Sequence, residues 1–180
     1  DALDEDVSAP DSDAFKDFRR PSGFPFVRLR GPVAIVALST AHVSPPLLAT
    51  GSLGSRQIAA AEELLMHPEV RRRFRLVVMH HPPRSPYATW QKRLKDADAF
   101  NAMIGRVGAE MIVHGHLHRD LNEEVAGPDA PVPVVGANSS IWLTDDVARR
   151  ASYGIYEIDD DGHFAGMERR AYDSDTERYV

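Results

Sequence analysis

Three histidines fall within five residues at His114-Gly115-His116-Leu117-His118, directly after the apolar run Met111-Ile112-Val113. In extended backbone an x-His-x-His step sends both imidazoles to one side of the chain, because side chains alternate across a strand. Two neutral ring nitrogens facing one point suit a borderline transition metal. Gly115 lets the backbone turn where a strand would meet a loop. The plain alternative is a surface loop that happens to be rich in histidine. A second candidate is His80-His81, followed by Pro82-Pro83 and preceded by the apolar stretch 74–79.

Composition narrows the chemistry. The chain of 180 residues contains no cysteine. Disulfides, thiolate catalysis and Cys-type zinc sites are thereby excluded, and any metal must use His, Asp, Glu or Asn. A formal net charge of −6 argues against a general nucleic-acid or anionic-membrane binder. The hydrophobic fraction of 43% and charged fraction of 27% are ordinary for a globular domain. No apolar run approaches a membrane span and no signal-peptide core is visible. A cytoplasmic protein without membrane contact is expected, with a targeting segment ahead of Asp1 left open.

The elements that must position the histidines follow from pattern. Residues 1–22, with Asp1, Asp4, Glu5, Asp6, Asp11, Asp13 and Asp17, read as a flexible acidic lead-in, and 23–180 as one domain. Strands are predicted at 24–30 and 33–38, the second buried on both faces because it is continuously apolar. Ser55 is placed to cap a helix whose stripe is Ile58, Ala61, Leu64 and Leu65. The basic run Arg71, Arg72, Arg73 and Arg75 reads as a solvated face near a helix end. A buried strand at 74–79 then delivers His80-His81, where open α/β sheets place their ligands. A loop over 82–91, a helix from about 96 to 107 and a third buried strand at 110–113 lead to the His cluster. Beyond a polar loop, a strand at 132–135 and a hairpin of 152–158 with 163–172 close the chain, turning at Asp159-Asp160-Asp161-Gly162.

Taken together, Val77-Val78-Met79-His80-His81-Pro82-Pro83 and Val113-His114-Gly115-His116-Leu117-His118 resemble the last two signature blocks of the calcineurin-like metallophosphoesterase family. Thr50-Gly51-Ser52-Leu53-Gly54-Ser55-Arg56-Gln57 is similar to the segment that such proteins carry before the His-His-Pro-Pro strand. The likeness runs from about residue 24 to the terminal hairpin. It implies an α/β fold: the C-terminal portion of a metallophosphoesterase-type β-sandwich, two mixed sheets flanked by helices, ending in a β-hairpin. It also implies a hydrolase acting on a small phosphate ester, nucleotides among the candidates, through two divalent or trivalent transition metals (Mn, Fe or Zn). On that resemblance His80 and His116 share one ion and His118 serves its neighbour.

The family's earlier blocks are missing from this sequence. No Asp-x-His stands ahead of these blocks, the single one in the chain being Asp161-Gly162-His163 in the turn of the terminal hairpin, and there is no Gly-Asp and no Gly-Asn. The bridging carboxylate is thus expected from a preceding half of a longer chain or from a partner chain, and the 180 residues alone are expected to be inactive. Three neutral imidazoles have no anion with which to balance two cations. His81 and His114 are expected behind the ligands, orienting them, and His42 in a loop that could touch substrate. His67 is expected to interact with a helix dipole. Tyr87 and Trp90 are candidates for stacking on a base. Two other functions stay open: a non-catalytic scaffold of the same fold, and a mononuclear zinc enzyme on His80, His116 and His118.

Overall fold

The computed structural model describes residues 23–180 other than 145 and 147; the acidic lead-in expected over 1–22 lies outside the described residues. The chain forms a mixed α/β fold with a six-stranded mixed sheet and a three-stranded antiparallel sheet. Strands β1 (Phe26–Arg30) and β2 (Val33–Ala37) make an antiparallel pair. Helix α1 (Ser55–Met66) and the short α2 (Pro68–Arg71) lead to β3 (Phe74–Met79), and α3 (Ala97–Val107) leads to β4 (Met111–His114). Then come β5 (Leu121–Val125), β6 (Val132–Gly136), β7 (Ser152–Ile158), β8 (Phe164–Asp173) and β9 (Arg178–Tyr179). The large sheet runs β1-β2-β3-β4-β6-β5, with β2, β3, β4 and β6 parallel.

The crossovers β2→β3 and β3→β4 step across the sheet in one direction, and right-handed connections therefore put α1 and α3 on the same face. Ile58, Leu64 and Leu65 of α1 and Phe100, Met103 and Ile104 of α3 meet Val36, Val77, Ile112 and Val134 of the sheet in one core. Each such side chain contributes roughly 1.5–3 kcal/mol by leaving water. The opposite face, with Ile35, Leu76, Val78, Val113 and Val135, is only half-buried. This corrects the expectation of strands buried on both sides: an unbroken apolar run records hydrophobicity, whereas the crossovers decide which face a helix covers. The β7–β8 hairpin approaches that second face and encloses a cavity of about 530 Å³ against Val113, Leu121 and Val135.

Several local expectations change. Ser55 does not cap α1; Gly54 holds the N-cap position and makes no side-chain cap. The carboxylate of Asp96 gathers the turn ahead of the helix, accepting from Leu53 N (2.9 Å), Gly54 N (2.7 Å) and Ser52 Oγ (2.9 Å). Burial alone would raise this carboxyl, but those hydrogen bonds outweigh it and lower it below 3.8. The basic run is not uniformly solvated, since Arg75 is only 9% exposed. Its guanidinium forks onto Glu110, Nε to Oε2 at 2.9 Å and Nη2 to Oε1 at 2.8 Å, while Nη1 donates to the Val107 carbonyl at 2.8 Å. His67 begins α2, where its Nδ1 accepts from Glu69 N at 3.2 Å. Strand β5 falls in what reads as a polar loop. Among the described residues no helix is long and apolar enough to cross a membrane.

Candidate functional site at the carboxyl edge of the sheet

The parallel strands β3 and β4 end side by side, Met79 opposite His114. His80 and His81 continue β3, and Gly115 N still donates to His80 O at 3.1 Å. The two His-bearing segments are thereby stitched together one residue past the strands, at the edge where parallel α/β sheets hold ligands.

Extended geometry stops there. Leu117 N donates to Gly115 O at 2.8 Å, closing a three-residue γ-turn around His116, whose φ is 68°. This is the rare, strained form of that turn. His118 is also left-handed, with φ 47°. Such backbone costs of order 1–3 kcal/mol per residue and persists where surrounding contacts hold it. The expected alternation of His114, His116 and His118 on a strand therefore fails. His114 alone belongs to the strand, on the same face as Ile112, and is 2% exposed.

The turn swings His116 toward β3. Its Nδ1 stands 3.2 Å from His80 Nε2, and the ring centroids are 5.0 Å apart. The ring of His81 lies against His116 with centroids at 4.1 Å. His118 joins neither contact; its ring meets the edge of Trp142 at 5.4 Å, though it remains near enough to disfavour a charge on His80. Of the three expected ligands, the fold unites His80 and His116 and leaves His118 to one side.

His81 has both ring nitrogens engaged. Nε2 lies 3.0 Å from the Ala49 carbonyl, which can only accept, so Nε2 carries the proton. Nδ1 must then accept from the Thr40 hydroxyl at 2.7 Å. His114 donates from Nδ1 to the Gly115 carbonyl at 3.0 Å, and its Nε2 is buried with no partner. It leans over Gly136, where a Cβ would come within 3.1 Å of its Cε1. His42 bonds Ser44 Oγ through Nε2 at 3.3 Å, and its Nδ1 is buried without a partner. His42, Ser44, Leu48, His80, His81 and His116 share the wall of a cavity of about 520 Å³.

The electrostatics oppose a charge on His80, His81, His114 and His116. Burial, then the neighbouring His81, His80 and Lys92, push His116 down to about 4. Burial also lowers His80, His81 and His114; for His81 and His114 a carbonyl acceptor offsets part of the effect. At neutral pH the cluster holds lone pairs rather than charges, as metal ligation requires. Two nitrogens on one tetrahedral ion, each at about 2.0–2.1 Å, stand roughly 3.3 Å apart. The separation of 3.2 Å between His80 Nε2 and His116 Nδ1 is close to that bite. The rest of a coordination shell is not assembled: among the described residues no group of three or more His, Cys, Asp or Glu is placed to hold a metal.

Other candidates sit apart from this pair. Tyr87 and Trp90 are exposed in the loop after β3, with Arg119 over the Tyr87 ring at 5.1 Å. Sequence reasoning missed Thr40 and Asp96. Thr40 is 41 residues from His81 and lies on a different strand end, a pairing that no local pattern announces. Gly51, within the family-like segment, carried a signal: a Cβ there would stand 2.5 Å from His81 Nδ1. Comparison with protein-family models gives no match, and comparison with curated proteins gives none.

Proposed function

We propose that the protein is a metal-dependent phosphoester hydrolase of the calcineurin-like metallophosphoesterase type, acting on a small phosphate ester. The observation that carries this reading is the 3.2 Å approach of His80 Nε2 to His116 Nδ1, from two blocks that resemble that family's ligand blocks. Its support in the fold is a mixed α/β sheet whose parallel strands bring the blocks to one edge. His80 and His116 would hold one Mn, Fe or Zn ion, and His118 would serve a second. A dinuclear centre supplies charge neutralisation at the phosphoryl oxygens and an activated water.

The chain's own residues do the rest. Burial opposes a charge on both His80 and His116, helped by His118 at the first and by His81 and His80 at the second. His81 and His114 pack behind them, and the cavity beside the pair, with His42 and Ser44 on its wall, has room for the alcohol half of an ester. The carboxylate that must bridge two cations is supplied by residues outside these 180, whether on a longer chain or on a partner chain.

Hydrolysis of bis-para-nitrophenyl phosphate with added Mn²⁺ tests the reading. Full-length protein should turn over and its His116→Ala variant should not, while the 180-residue chain alone should be inactive. Metal stoichiometry separates the alternatives: about two ions per chain fit the dinuclear centre, one fits a mononuclear zinc site, and none fits a scaffold. Full-length protein that neither binds metal nor hydrolyses any phosphate ester would sink the proposal.

A further inference from the structure

His81 is the least free side chain of the cluster. Its ring is gripped from one side by the Thr40 hydroxyl at the end of β2 and from the other by the Ala49 carbonyl. Its own backbone N–H donates to the same Thr40 oxygen at 3.4 Å. Against its Nδ1 edge lies Gly51, so close that any side chain there would force the ring aside. The 49–51 segment cannot yield easily, because it is bonded along the 91–95 segment. Ala49 N donates to Gln91 O at 2.8 Å, Gly51 N to Arg93 O at 3.0 Å and Lys95 N to Gly51 O at 2.9 Å. His81 is therefore fixed in place, in orientation and in tautomer.

The free face of that ring supports His116. The centroids are 4.1 Å apart and the planes tilt by 40°. His116 is the residue with most need of support: its γ-turn backbone is strained, its Nδ1 stands 3.2 Å from His80 Nε2, and its buried Nε2 has no hydrogen bond of ordinary geometry. A strained turn holds one geometry only when its surroundings over-determine it. We propose that His81, locked as the Nε2–H tautomer between Thr40 and Ala49, is the positioning residue that sets the orientation of His116 and with it the metal affinity of the His80–His116 pair. The affinity part rests on the reading of His80 and His116 as ligands of one ion; the orientation part does not.

The test uses the full chain, Zn²⁺ as the probe and ring ¹⁵N–¹H correlation spectra of the histidines. Thr40→Val keeps the side-chain shape but removes the donor to His81 Nδ1. It should abolish the single-tautomer pattern of His81, displace the His116 ring signals in metal-free protein while those of His163 stay put, and weaken Zn²⁺ binding by about tenfold or more. Thr40→Ser restores the hydroxyl and should recover both readouts, which a general loss of packing would not permit. Gly51→Ala, pressing on the ring rather than releasing it, should move the same signals if Thr40→Val fails to fold. Wild-type protein that binds no Zn²⁺ overturns the assignment of the pair as ligands. A His116 spectrum indifferent to both substitutions overturns the positioning, whichever way the metal result falls.

Discussion

The two ends of β3 and β4 bury polar side chains in opposite ways. At the amino end, Arg75 and Glu110 satisfy each other through a two-pronged ion pair, and the Val107 carbonyl takes another guanidinium proton. At the carboxyl end, His114 Nε2 is out of water with no hydrogen-bond partner, and His116 Nε2 is buried with none of ordinary geometry, only the Lys92 backbone standing near its ring. An unsatisfied buried polar atom costs about 1–3 kcal/mol. The first end looks after itself and needs only the fold; the second carries a deficit that a ligand can relieve. The difference leaves the carboxyl edge with hydrogen-bonding capacity that the amino edge has already used.

Substitutions should separate the two ends. Arg75→Met removes the guanidinium shared by Glu110 and the Val107 carbonyl, but Glu110 is partly open to water and keeps the residue-75 backbone N–H. The cost should therefore be about 1–3 kcal/mol of stability, read from urea unfolding, with metal affinity unchanged. A metal-affinity loss that tracks the stability loss would erase the distinction. His116→Ala should do the reverse, weakening Zn²⁺ binding about a hundredfold with stability altered by less than ~1 kcal/mol, as calorimetry and unfolding together would show. Asp96→Asn is intermediate in place and effect: the carboxylate gathering the turn before α1 is lost, at an expected ~1 kcal/mol, with no change at the histidines. An unfolding midpoint equal to wild type would mean that the amide replaces those bonds.

The pH dependence carries a further test of the carboxyl end. His116 is lowered in the folded state from 6.5 to about 4, so the unfolded chain binds its proton first. Its contribution is present in full above 6.5, is lost as pH falls from there to about 4, and changes no further below. Glu123, raised by burial, has the opposite sign, and Asp96 yields only below 3.8. The clean measurement is the difference between wild type and His116→Gln: the wild-type urea midpoint should fall more steeply across that window. Parallel curves would remove His116 from the titration.

Much of this was written locally. The stripe Ile58, Ala61, Leu64, Leu65 marks α1 because helical spacing repeats within one element, and the apolar runs before His80 and His114 mark β3 and β4. Strand β5 was hidden because its inward row is Leu121, Glu123, Val125 and the middle residue is acidic; Ser85 Oγ donates to Oε1 of that carboxylate at 3.0 Å from 38 residues away. Arg75 likewise reads as one more cation in a basic run, since its partner Glu110 is 35 residues off.

At the histidines the division is sharpest. Residue type and spacing alone determined that neutral nitrogen donors would gather at strand ends, and the two blocks alone carried the family resemblance. Which nitrogens meet was decided in three dimensions. A γ-turn, not a strand, carries His116 across to His80, and His118 is turned toward Trp142. A strand's alternation is a property of its own backbone and can be read from spacing. The hand of a turn and the partner of a ring depend on contacts such as Thr40 with His81, which exist only once distant segments are packed together.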